Sequence, residues 1–206
     1  MLTGTLVKEF SQYMFDRYEI VVKKKTGNWL MSIVRVFLGF TKEKWAEFST
    51  KIGKYLYTDM TFGLSASFFG LVRQAGLIVH ECAHSTLSWY SYATDRTYRT
   101  LEECEGYAGT MFVYHHITGD MIPIEAIIDK LKSYKLDGPN LESARLVLEK
   151  HSMTIQCGGF PIEPAKTAAR WMDENGVTES IRNFIQTSKI RTSVQAKKQL
   201  MNALLK

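Results

Sequence analysis

Leu77-Ile78-Val79-His80-Glu81-Cys82-Ala83-His84 is the stretch whose reading decides the fold. Residues four apart on an α-helix lie one turn above each other on one face. At that spacing the imidazoles of His80 and His84 can hold one divalent ion between them, at ~2.0–2.1 Å per bond for zinc. Glu81 projects about a quarter turn round the same helix, towards the open side of such an ion, where it can accept a proton from water. The preceding residues, Leu71 to Val79, have helix-compatible composition, and no proline occurs between Tyr57 and Pro123 to break a long helix. Cys82, Ala83 and Leu87 supply a buried face. The helix is expected to begin between Ser65 and Phe69.

Two histidines need a further protein ligand, and a catalytic site keeps one more position for water. The carboxylates follow in Leu101-Glu102-Glu103-Cys104-Glu105-Gly106-Tyr107-Ala108, which reads as the start of a second helix running to about Thr118. Glu102 and Glu105, three apart, share a face of that helix, and Glu103 points elsewhere. Gly106, Ala108 and Gly109 are small enough to let the two helices pack closely, as a shared ion demands. The polar and aromatic stretch Trp89 to Arg99 reads as a loop or short turn that brings the second helix back against the first. Its tyrosines, Tyr90, Tyr92 and Tyr98, and Tyr107 on the helix, are candidates for a phenol that stabilises an oxyanion.

His80-Glu81-x-x-His84 followed about twenty residues on by Glu105-Gly106-Tyr107-Ala108 resembles the gluzincin group of metallopeptidases. That resemblance implies Glu105 as the third zinc ligand, with Glu102 orienting a histidine through its ring N–H, and Glu102 and Glu103 as alternative ligands. Thermolysin-like members carry an acidic residue four after the ligand, where this chain has Gly109. The segment Trp45 to Tyr57 has a period-two, β-branched and aromatic pattern with Gly53, which reads as strands or a tight hairpin. It is similar to the strand that small gluzincins place before the motif helix, and the resemblance implies an edge that pairs with an extended substrate. It covers roughly Phe48 to Tyr114, and its specific part is the two short motifs.

The chain has 206 residues, a size that favours one domain with a real core. Its 45% hydrophobic and 23% charged residues are those of an ordinary globule. A formal charge of +5 is too small to imply nucleic-acid binding, and the lysine clusters at Lys23 to Lys25 and in the tail read as solvated surface. Three cysteines at scattered positions form no disulfide framework. The N-terminus lacks a signal-peptide pattern, so a cytoplasmic protein is expected, or a virion protein if phage-encoded. Neither Trp29 to Phe40 nor Phe62 to Val79, both interrupted by charge, suits a membrane span.

Elsewhere the pattern is helical. Leu6 to Tyr18 reads as a helix after Thr5 as a cap, with Glu19 to Val22 ending it or forming a short strand. Trp29 to Leu38, Ile124 to Ser133, Leu141 to Ser152 after Asn140 as a cap, Ala165 to Asn175, and Ser180 to Thr187 read as helices. Ser193 to Leu205 is amphipathic and suits docking on the core, on a partner protein or on a second copy. His116 lies three turns from Glu105, roughly 16 Å along the axis, too far to share an ion, and His151 reads as structural.

The expectation is therefore an α+β, mostly helical single domain over 1–206. It comprises N-terminal helices and strands (1–58), a minimal zincin-like core (59–120) with a small sheet or hairpin beside the motif helix and a glutamate-bearing helix, and a helical C-terminal region (121–206). The expected activity is zinc-dependent peptide-bond hydrolysis on a peptide or protein substrate. One Zn²⁺ per chain would be held by His80, His84 and Glu105, with Glu81 as general base. The alternative is a zinc-stabilised or catalytically inert zincin-like structural or assembly protein, such as a phage virion component. Neither nucleic acid nor membrane is an expected partner.

Overall fold

The computed structural model describes residues 2–38, 49–84, 88–134 and 136–177, with side chains of 35–38 excepted. The fold is α+β and mostly helical, with one small mixed sheet. Helix α1 spans Gly4–Arg17, β1 Val21–Lys24, α2 Trp29–Leu38, β2 Thr50–Ile52 and β3 Tyr55–Thr58. The motif helix α3 spans Phe68–Ala83, followed by α4 (Trp89–Thr94) and α5 (Arg96–Thr118). Helices α6 (Ile124–Leu131), α7 (Gly138–Gln156) and α8 (Glu163–Glu174) complete the described chain, with a 3-10 turn at Lys132–Tyr134 between α6 and α7. The expected helix at Ser180 to Thr187, the amphipathic tail and residues 45–48 of the strand-rich segment lie outside the described residues.

The local chemistry explains most boundaries. Thr3, rather than Thr5, caps α1: its Oγ1 accepts from Leu6 N at 3.2 Å. Ser67 caps the motif helix by accepting from Gly70 N at 3.0 Å. The Trp89 to Arg99 segment is not a loop. Ser88 caps α4, and Asp95 then takes Thr97 N at 2.8 Å and Tyr98 N at 3.1 Å, starting α5 five residues before Leu101. Asp137, not Asn140, is the acceptor at the start of α7. In each case an Asx or hydroxyl side chain upstream of the apolar periodicity captured the free N–H groups first.

The sheet order is β1-β3-β2, with β1 parallel and β2 antiparallel to β3. The β2–β3 hairpin turns through Gly53 and Lys54, where φ of +57° at Gly53 needs a residue without Cβ. Lys51, on β2, is buried, and its Nζ donates to the carbonyl of His84 at 2.5 Å. One ammonium thus joins the sheet edge to the C-terminal end of the motif helix, where the helix dipole favours a cation.

A continuous apolar core runs from Leu2 to Val177 and takes residues from α1, α3 and α5 through α8. Ile78, Val79 and Cys82 of α3 and Cys104, Met111 and Val113 of α5 all belong to it. A smaller cluster of Met31, Val34 and Tyr57 joins α2 to the sheet. No helix among the described residues is long and apolar enough to cross a membrane.

Ile78 is fully buried in the middle of the motif helix. Ile78→Ala should lower unfolding free energy by about 2–5 kcal/mol in urea titration, because the lost side chain leaves a cavity that packed helices cannot close.

Candidate metal centre

Helices α3 and α5 cross with almost nothing between them at three points. A Cβ on Gly76 would stand 3.1 Å from Thr110, one on Gly109 2.8 Å from Val79, and one on Gly106 2.6 Å from the His80 ring. Gly106 therefore leaves the space that His80 fills. This close approach fixes which face of α5 meets the motif, and the face is the one that carries Glu103 and Glu102.

His80, His84 and Glu103 are all buried, and each offers one ligand atom within 4.8 Å of the others. The two Nε2 atoms are 3.3 Å apart, and Glu103 Oε2 is 3.7 Å from His80 Nε2. Two of the donors are tied outward through their other atom: His84 Nδ1 meets Glu102 Oε2 at 3.3 Å, and Glu103 Oε1 accepts from the Tyr92 hydroxyl. Carboxylates and carbonyls behind histidines fix ring orientation in metal sites in this way. Glu103 Oε2 is buried and has no hydrogen-bond partner among the described residues. A buried carboxylate oxygen left unpaired costs free energy unless something positive meets it. The donor set of two imidazoles and a carboxylate fits a divalent transition metal.

Glu105 is exposed and does not belong to this cluster. The carboxylate that the fold brings to the two histidines is Glu103, which the helical spacing aims away from them. The missed signal was the glycines themselves. The residues three and four before Gly106 are Glu103 and Glu102, and these flank the contact line, whereas Glu105 sits a hundred degrees round the helix. Four residues after Glu103 stands Tyr107, whose ring meets His80 edge-on at 5.0 Å. Glu102 contacts His84 from the outer side.

Of the candidate phenols, Tyr92 bonds Glu103, Tyr98 bonds Glu102 and takes the Ser88 N–H at 3.1 Å, and Tyr107 bonds Tyr134. Tyr90 is exposed. Tyr92 and Tyr98 thus each engage one of the two carboxylates. His116 pairs with Asp173 at 3.3 Å and stacks on Phe112, away from the cluster.

Burial dominates the electrostatics. It holds His80 well below the ordinary imidazole range, helped by the neighbouring His84. Burial also opposes charge on His84, but Glu102, Glu103 and Glu81 outweigh it and raise that imidazole. Burial lifts Glu81 to about 7, with Glu103 adding to the rise and His84, Lys51 and Lys25 opposing it. Burial likewise raises Glu103. Glu102, less enclosed, is held below the usual range by its bonds to His84 and Tyr98, which overcome desolvation. Lys51 and Lys25, both buried, bring positive charge to the Glu81 side.

Comparison with family models, curated proteins and solved structures returns no match for this chain. The chemistry of the site therefore stands on its geometry.

Two outcomes are expected. Gly106→Ala should displace the His80 ring and weaken metal binding strongly while the circular dichroism spectrum stays helical. Metal affinity should fall as pH drops. In the metal-free fold Glu81 is raised from its ordinary 4.5 to about 7, and His84 is raised too. Raised values stabilise the metal-free protein below the unfolded values, and that contribution is lost as pH rises through the folded ones. A cation has to displace these protons. Calorimetry in buffers of different ionisation enthalpy should read proton release on binding, largest below about pH 7 and fading above it.

Proposed function

We propose that His80, His84 and Glu103 hold a divalent metal, most suitably Zn²⁺, and that the site hydrolyses peptide bonds with Glu81 as general base. The observation that carries the metal is the convergence of two imidazole nitrogens and an unpartnered carboxylate oxygen, with His84 and Glu103 anchored from behind. The observation that favours hydrolysis is Glu81, one residue after His80 on the same helix, buried and raised to about 7. A base works best when its pKa lies near the operating pH.

Zinc in this position would supply Lewis acidity, acidifying water and polarising a scissile carbonyl. Glu81 takes the proton of the attacking water and passes it to the leaving amine. His84 is kept in one ring orientation by Glu102, and the His80 ring packs edge-on against Tyr107. Lys51 and Lys25 set the charge around Glu81 and oppose its protonation.

A second role is favoured by a specific observation: His80, Glu81, His84 and Glu103 are all buried, the most exposed of them, His80, at 8%. A metal so enclosed suits a structural staple in an interaction or assembly protein. Metal analysis and a peptide-library digest separate the two. Chelator-sensitive cleavage supports the hydrolase, and one zinc per chain without cleavage supports the staple. Iron in place of zinc would point to other chemistry, because two histidines and a carboxylate also serve ferrous iron.

Glu81→Gln should keep the metal and lose peptide cleavage, and cleavage at the wild-type rate would remove Glu81 from the mechanism. Glu103→Gln should weaken zinc binding by more than the ~10–100-fold typical of outer partners, with Glu105→Gln at the wild-type affinity. The reverse result would restore Glu105 as the ligand.

A further inference from the structure

The groups that hold Glu103 come from separate elements, and one side chain joins them. Tyr92, on α4, donates its hydroxyl to Glu103 Oε1. Tyr134, on the 3-10 turn after α6, is hydrogen-bonded to the same carboxylate and to Tyr107. Arg99 lies one turn before Glu103 on α5 and reaches both segments. Its Nε donates to the Tyr92 carbonyl at 2.8 Å, its Nη2 to the Ala93 carbonyl at 2.8 Å, and its Nη1 to the Tyr134 carbonyl at 3.1 Å. The guanidinium centre also stands 5.3 Å from the Tyr92 ring centroid.

Helix α4 cannot place Tyr92 unaided. It has six residues, and none of them is buried. A helix that short is not stable on its own. Its attachments include the Arg99 fork, which takes two successive carbonyls, and the stacking of Trp89 on Tyr92 at 6.3 Å. The planar guanidinium presents donors at fixed angles that an ammonium cannot reproduce.

We propose that Arg99 and Tyr92 are positioning residues of the metal centre: Arg99 fixes α4 and the Tyr134 turn, and Tyr92 thereby pins Oε1 of Glu103 so that Oε2 alone faces the imidazoles. The proposal rests on His80, His84 and Glu103 being the ligand set. The carboxylate then donates through one atom, and its outer atom is held by the Tyr92 phenol. Partners of this kind change metal affinity by ~10–100-fold when removed.

The test is zinc affinity of the full chain, measured by competition with a chromophoric chelator, for the wild type, Tyr92→Phe, Arg99→Met and Arg99→Lys. Tyr92→Phe is expected to bind zinc ~10–100-fold more weakly with its helical circular dichroism unchanged. Its cobalt(II)-loaded form should show an altered visible spectrum, which a merely structural role would not move. Arg99→Lys should resemble Arg99→Met, because charge without the fork does not hold both segments. Wild-type affinity and an unchanged cobalt spectrum in Tyr92→Phe would overturn the proposal and leave the metal site standing. A wild type that binds no zinc would overturn the ligand set itself. Should the variants fail to fold, the ultraviolet difference spectrum of the wild type on zinc loading decides. A tyrosine perturbation is expected, and a flat difference overturns the proposal.

Discussion

Two imidazole nitrogens and a carboxylate oxygen meet in a buried place, and the rest of this structure is arranged round that convergence. The Nε2 atoms of His80 and His84 stand 3.3 Å apart, with Glu103 Oε2 at 3.7 Å from the first of them. A fold keeps such a concentration of electron density only when positive charge meets it or when strong outer contacts enforce it. Here the outer contacts are in place on His84 and Glu103, and a proton or a metal would supply the charge.

That arrangement needs two helices nearer than side chains usually allow. Gly76, Gly106 and Gly109 remove the Cβ atoms that would hold α3 and α5 apart, and the His80 ring occupies the notch at Gly106. The helices around them fix the crossing, with α1 and α8 packed against α3 and α7 against α5. The sheet joins the same construction through Lys51, whose ammonium closes the C-terminal end of α3 at the carbonyl of His84. Packing, helix termination and site chemistry therefore meet within one turn of the motif helix.

The motif helix, the small sheet and the helical remainder were legible because each depends on local signals: helical apolar spacing, a period-two run with a glycine turn, and the lack of proline. The α2 span was read at Trp29 to Leu38, where it lies. Caps were less legible. At α1 and α7 the hydroxyl or carboxylate that captured the helix sat two or three residues upstream of the chosen one. The identity of the carboxylate was the hardest point. Spacing relates Glu102, Glu103 and Glu105 to one another but does not say which side of α5 faces α3. That orientation is a tertiary fact, set by where the glycines meet the partner helix. The short α4 escaped notice for a similar reason, since its hold comes from Arg99 on the next helix and not from its own periodicity.

The enclosure of the four central side chains bears on how an ion would come to be there. With His80, Glu81, His84 and Glu103 each nearly sealed, entry and escape both require α3 and α5, or the cover over them, to part. A peptide would have to cross the same cover as the ion, so loading of the metal and admission of a substrate would share one opening step.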